Sequence, residues 1–213
     1  MVITWYGQSC FKIQSGETIL VTDPFDKSIG LTPPRGQANI VTISHQHYDH
    51  NNLEALASSN PFVIDGPGEY EVKGVNITGF LTYHDQKEGK ERGVNTTYLI
   101  EIEGIKICHL GDIGQDKLDN AQLELIDGVD ILMIPVGGVY TVNGEEAADL
   151  INQIEPKIVI PMHYKIQGLA IKLEGLEEFL NEMGVTKKES VDKLTIKKKD
   201  LPEEDTQVVV MRI

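Results

Sequence analysis

Three runs of near-continuous apolar residues constrain this chain more than any other feature: Asn39–Ile43 (NIVTI), Asp130–Ile134 (DILMI) and Lys157–Pro161 (KIVIP). A strand with one face in water alternates apolar and polar residues, whereas a run without alternation is typical of a strand covered on both faces. Around these runs the pattern changes along the chain. Val2–Tyr6, Cys10–Gln14 and Thr18–Thr22 read as short strands, split by turns at Gly7-Gln8 and Ser15-Gly16 and stopped at Asp23-Pro24. A loop rich in proline and glycine fills 24–38, and further strands follow at Phe62–Asp65, Glu69–Val72, Val75–Leu81, Thr97–Ile102 and Ile105–His109, with a hairpin at Glu103-Gly104. Helical spacing then appears at Leu118–Asp127, Glu145–Ile154 and Leu173–Met183, between and after the later buried strands, and Asp192–Lys197 and Thr206–Ile213 close the chain as strands. Two packed sheets with helices on their outer faces fit both halves. Periodicity alone does not choose that layout over a generic α+β fold.

Composition bounds what such a chain can do. With 213 residues, 40% hydrophobic and 24% charged, it suits one globular domain spanning 1–213, long enough to bury a core without disulfide or metal staples. The net charge of −14, from 33 acidic and 19 basic residues, disfavours long nucleic acids, whose binding rests on Lys and Arg at phosphates. It does not disfavour a small anionic substrate, which needs only a local positive site. No window approaches a membrane span, and the N-terminal segment lacks the basic and apolar regions of a signal peptide. Cys10 and Cys108 are far apart and outside any C-x-x-C, so a cytoplasmic setting is expected, with both thiols as small buried hydrophobes.

The chemistry concentrates in HQHYDH, where His45, His47, Asp49 and His50 follow the buried strand Asn39–Ile43. The carboxyl ends of central strands are where open sheets bind ligands. In an extended segment His45, His47 and Asp49 would project together and His50 elsewhere, an arrangement that two adjacent metals use more easily than one. Neutral imidazole and carboxylate suit zinc and related first-row ions. His84, Asp112 and His163 also stand at strand ends, with Gly111 permitting close backbone approach beside Asp112. Taken singly, each reads as a satisfied polar residue as readily as a ligand. No Ser or Cys stands in a nucleophile motif, since Ser44 lies outside any G-x-S-x-G context.

HQHYDH resembles the H-x-H-x-D-H signature of the metallo-β-lactamase superfamily, and Asp23 in VTDP, His84, Asp112 in LGD and His163 fit its other motifs in order. PVGGVYT at Pro135–Thr141 and IPMHY look most similar to a compact branch of zinc-dependent hydrolases related to the ascorbate-6-phosphate lactonase. The resemblance implies a four-layer αββα sandwich of two mixed sheets, an α/β (α+β) fold, with the site between the sheets at one edge. It implies His45, His47 and His84 on a first metal, Asp49, His50 and His163 on a second, Asp112 bridging, and Asp23 behind them orienting an imidazole or the loop. His109 reads as a partner behind a ligand. Two divalent ions follow, zinc first, with manganese, iron or nickel also compatible. The implied activity is hydrolysis of a small ester, lactone or phosphodiester by a metal-bridging hydroxide, with Asp49 or a bound water protonating the leaving group.

A metal-dependent oxidoreductase and a non-catalytic metal- or ligand-binding module are the alternatives on the same scaffold. The first lacks room for a flavin domain, and the intact ligand set counts against the second. Phe25–Gln37, Asp85–Asn95 and Gly137–Asn143 should frame the opening. The first two carry Lys27, Arg35, Lys87, Lys90 and Arg92, which could form a local patch for a phosphate or carboxylate but read mainly as soluble loop surface. Tyr140, Thr141 and Tyr164 are the expected substrate contacts. Lys197–Lys199 reads as a solvated hairpin, and a homo-oligomer stays open.

Overall fold

The computed structural model describes residues 1–186 and 189–213. The N-terminal strands expected from sequence form as β1 (Val2–Gly7), β2 (Cys10–Ser15) and β3 (Thr18–Thr22), followed by β4 (Ile40–Thr42), β5 (Phe62–Ile64), β6 (Gly68–Val72), β7 (Val75–Tyr83), β8 (Val94–Ile102) and β9 (Ile105–His109). Then come α1 (Asn120–Leu125), β10 (Ile131–Pro135), α2 (Gly144–Ile154), β11 (Ile158–Met162) and α3 (Glu177–Glu182). The short strands β12 (Ser190–Val191), β13 (Leu194–Thr195), β14 (Gln207–Val208) and β15 (Val210–Met211) complete the order.

Six strands make one sheet in the order β13-β1-β2-β3-β4-β5, and seven make the other as β14-β11-β10-β9-β8-β7-β6. Both are mixed: β3, β4 and β5 run parallel in the first, as do β9, β10, β11 and β14 in the second. The two inner faces share a core that includes Ile3, Trp5, Phe11 and Ile40 from one sheet and Ile77, Tyr98, Ile107 and Met133 from the other. The Tyr98 hydroxyl crosses between them, donating to the carbonyls of Ile43 (2.8 Å) and Ile64 (3.2 Å).

The apolar residues of the three runs are buried, as β4, β10 and β11 show. Their outer covers differ. Helices α2 and α3 pack on the seven-stranded sheet, through Ala147, Leu150, Phe179 and Leu180. The outer face of the six-stranded sheet is sealed by a separate apolar cluster, in which Phe25, Ile29, Leu31 and Leu56 come from loops and 3-10 turns. The run Asn52–Ala57, helix-like in its spacing, forms only the 3-10 turn Glu54–Ser59.

Helix α2 starts where expected because Asn143 and Glu146 exchange side-chain and backbone hydrogen bonds at its N-terminus. Helix α3 is shorter than the pattern Leu173–Met183. The backbone of Glu174 is engaged elsewhere, donating to Gly137 O and accepting from Lys165 N, both at 2.8 Å. The expected strand Thr206–Ile213 divides into β14, which pairs with β11, and β15, which pairs with β12. Within the C-terminal stretch read as strands, Lys187 and Lys188 lie outside the described residues. Lys197–Lys199 is not a hairpin: Lys198–Asp200 is a 3-10 turn, and Lys198 reaches the buried Asp130 at 2.7 Å. Among the described residues no helix is long and apolar enough to cross a membrane.

Candidate metal centre

All the motif residues gather at the carboxyl ends of strands, on one edge of the sandwich. Asp23 follows β3, His45–His50 follows β4, His84 follows β7, Asp112 lies beyond β9 and His163 follows β11. The HQHYDH segment is not extended. His50 N donates to His47 O at 2.9 Å, closing a turn that draws His50 into the cluster. The expected convergence of His45, His47 and Asp49 with His50 turned away is therefore corrected by this turn. The ligand atoms fall into three overlapping groups, His45–His47–His84, His45–His50–Asp112 and Asp49–His50–His163, each within 4.8 Å. The outer two match the two expected sets, and Asp112 lies in the group that joins them. One oxygen, Asp112 Oδ2, stands 3.2 Å from His50 Nε2, 3.2 Å from His163 Nε2 and 3.7 Å from His84 Nε2.

Asp23 sets two of these imidazoles. Its carboxylate accepts Ser44 N and Ser44 Oγ at 2.7 Å each and His50 Nδ1 at 3.0 Å. Because an ionised carboxylate only accepts, the single Ser44 hydroxyl proton is committed to Asp23. His45 Nδ1, 2.9 Å from Ser44 Oγ, must then donate, which leaves His45 Nε2 unprotonated. His50 Nδ1 is likewise turned outward and its Nε2 inward. This is the support expected of Asp23, extended to a second ligand.

The buried nitrogens His45 Nε2, His50 Nε2 and His163 Nε2 make no hydrogen bond. Buried polar atoms normally find partners, so a convergent set without them fits a cation. The local field agrees. Burial, helped by neighbouring His50, lowers His45 to about 3, keeping its lone pair available. Burial would raise Asp49, but neighbouring His50 outweighs it and brings it to about 2. Burial would likewise raise Asp112, yet His163 and His50 hold it well below the ordinary carboxylate range. His50 itself is raised, since Asp112, Asp23 and Asp49 overcome its burial.

Sequence reasoning placed a turn between β1 and β2 but missed its role at the site. Gln8 and Ser9 are fully buried. Gln8 Nε2 donates to Asp49 Oδ2 at 3.2 Å, and Ser9 Oγ donates to Asp112 Oδ1 at 3.1 Å. His109 Nε2 lies 2.8 Å from the Ser9 carbonyl, so it touches no ligand directly and reaches Asp112 only through Ser9. Asn95 was also missed: its Oδ1 accepts Asp112 N at 3.0 Å. Polar residues in turns are ordinarily solvated, and nothing local in the sequence marks these as inward-facing. Gly111 behaves as expected, at φ +58 with no room for a Cβ against Asn95 and Ser44.

A cleft of about 560 Å³ opens at the cluster, lined by His47, Asp49, His84, Asp112 and His163 together with Tyr48, Arg92 and Tyr140. Tyr140 stands where expected. Thr141 lines a smaller neighbouring recess of about 190 Å³ instead. Tyr164 is corrected: it is buried, stacked on Trp5 at 5.2 Å, with its hydroxyl 3.4 Å from the Met211 carbonyl, so it belongs to the core. Of the five basic loop residues, Arg92 alone lines this cleft.

Comparison with known proteins agrees with this geometry. A solved structure from Thermotoga maritima, a proposed Zn-dependent hydrolase of the metallo-beta-lactamase superfamily, is 38% identical, with a TM-score of 0.78 over 99% of this chain and 97% of that one. A Thermococcus onnurineus protein named UPF0173 metal-dependent hydrolase is 29% identical over 188 residues, covering 76% of this chain and 84% of that protein. Igni18, a metallo hydrolase of Ignicoccus hospitalis at 20% identity, shares the fold with a TM-score of 0.65 over 92% of this chain and 99% of that one. The profile of the beta-lactamase superfamily domain matches residues 2–163, a span that contains every candidate ligand. By that match and the Thermotoga likeness, the chain belongs to the metallo-beta-lactamase superfamily.

Proposed function

We propose that this protein is a dinuclear metal-dependent hydrolase of a small ester, lactone or phosphodiester. One observation carries the reading: unpartnered imidazole nitrogens converge on a single oxygen of Asp112 at the end of an open cleft. His45, His47 and His84 would hold one ion, Asp49, His50 and His163 the other, with Asp112 shared. Divalent ions so placed, zinc or another first-row metal, activate water near neutral pH and offset charge developing on the substrate.

The protein groups supply orientation and proton handling. Asp23 fixes the tautomer of His45 and the ring orientation of His50 before any ion arrives. Asp49 is held ionised, so it begins as a proton acceptor rather than as an acid. It can take the proton lost by the attacking water and return it to the leaving-group oxygen. Gln8 steadies that carboxylate from the β1–β2 turn. A side-chain nucleophile is not needed: both cysteines are buried, and burial pushes their thiols up.

The test couples metal analysis to a panel of esters, lactones and phosphodiesters. The expected result is about two ions per chain, with turnover falling at least ~100-fold in His47→Ala. Purified protein that takes up no zinc, manganese, iron or nickel under any loading condition would sink the proposal.

A further inference from the structure

Asp85 follows His84 directly and organises the loop beyond it. Its carboxylate accepts the backbone N–H groups of Lys87 (2.7 Å), Gly89 (2.9 Å), Glu91 (2.9 Å) and Arg92 (2.8 Å). The loop is thereby folded back so that Arg92 returns to the cleft on the same support as His84. From the facing loop, the Val139 carbonyl accepts Arg92 Nη2 at 3.0 Å, and the Tyr140 ring centroid lies 5.4 Å from the guanidinium carbon. Val139 holds φ +57, a backbone region that β-branched residues rarely enter. Both walls are thus shaped around one side chain.

The charge environment is specific. Apart from histidine, Arg92 is the sole basic residue lining the cleft among the described residues. Its sequence neighbour Glu91 also lines the cleft but is taken by Lys87 at 2.6 Å, and the described residues place no carboxylate in an ion pair with Arg92. In a chain of net charge −14, this guanidinium keeps most of its donor fork open. An open, braced fork is the geometry that recognises oxyanions in two-point fashion.

We propose that Arg92, braced by Tyr140, receives a terminal oxyanion of the substrate, a carboxylate or a phosphate. The natural substrate is then an acid-bearing ester, lactone or phosphodiester rather than a neutral one. This deepens the hydrolase reading above and rests on it for the reaction, but not for the binding.

Two arms test it on metal-loaded protein. The first compares 4-nitrophenyl butyrate with the mono-4-nitrophenyl ester of glutaric acid, which adds a distal carboxylate to a similar acyl chain. Wild type should favour the acid ester by about tenfold or more in kcat/KM, and Arg92→Ala should remove that preference mainly through KM, leaving the butyrate within about twofold. Arg92→Lys should recover only part, because an ammonium lacks the planar fork. The second arm titrates glycerol 2-phosphate calorimetrically. Arg92→Ala should weaken binding about tenfold, while Lys27→Ala, equal in charge but on an exposed turn outside the cleft, should change it less than about twofold. The proposal is overturned if Arg92→Ala binds the phosphate like wild type, if Lys27→Ala weakens it equally, or if wild type prefers the neutral ester. Failure to hydrolyse either ester would strike the hydrolase reading alone, and the titration would still decide the role of Arg92.

Discussion

Asp112 and Asp130 are both almost fully buried, at 2% and 1% exposure, and they sit at opposite ends of neighbouring parallel strands. Asp130 precedes β10 and is satisfied by nitrogen donors: Lys157 Nζ at 2.9 Å on one oxygen, Lys198 Nζ at 2.7 Å and Lys106 N at 2.9 Å on the other. Asp112 lies beyond β9 and has the Nε2 atoms of His50 and His163 each 3.2 Å from one oxygen, neither in a hydrogen bond. Both carboxyls are held below their ordinary values, so the shift alone does not separate them. The partners do. A buried carboxylate closed by lysines and an amide is structural, whereas one ringed by imidazole nitrogens that make no hydrogen bond suits the charge of a cation.

That contrast can be broken in graded steps. Asp112→Ala should give the largest effect, reducing bound metal to one ion or fewer and turnover by roughly 1000-fold, read by elemental analysis and kinetics. Full retention of metal would erase the distinction. Asp23→Ala comes next, since it frees the tautomer of His45 and the orientation of His50 without removing either ligand. A loss of about 10- to 100-fold in metal affinity is expected from competition with a chromogenic chelator.

Asp130→Ala should leave metal content untouched and cost about 2 kcal/mol of stability, a fall of about 4–8 °C in Tm by calorimetry. Its pH dependence follows from the same partners. Burial would raise the Asp130 carboxyl, but Lys198, the Lys106 amide and Lys157 outweigh it and hold it below 3.8. A depressed folded value means that the stabilisation is present above about pH 4 and disappears as pH falls through that value. Urea unfolding from pH 6 to 3 should therefore show a shallower acid slope in Asp130→Asn than in wild type.

The legible parts of this molecule are those with local signals. Uninterrupted apolar runs announced β4, β10 and β11, and residue type with spacing announced the ligands. Strand ends carried them to one edge, so the cluster followed once the strands were placed. What sequence hid depends on tertiary partners. Nothing local reveals that the Glu174 backbone serves Gly137 and Lys165, which shortens α3. Nothing local tells Gln8 and Ser9 from ordinary turn residues, or Tyr164 from a rim aromatic beside a ligand. Lys198 looked solvated because its buried partner lies 68 residues away.

The β1–β2 turn has a consequence for assembly. Its bonds to Asp49 and Asp112 span 41 and 103 residues, and the Gln8 carbonyl also accepts His163 N at 3.2 Å. The ligand cluster is therefore complete only after the first hairpin and the late parallel strands have docked on one another. A ligand that binds the folded chain alone adds stability by mass action, about 4 kcal/mol at a thousandfold excess over its dissociation constant. Metal uptake would thus act as a checkpoint on maturation: an ion is retained by chains whose distant ends have met, and its loss loosens the contacts between them.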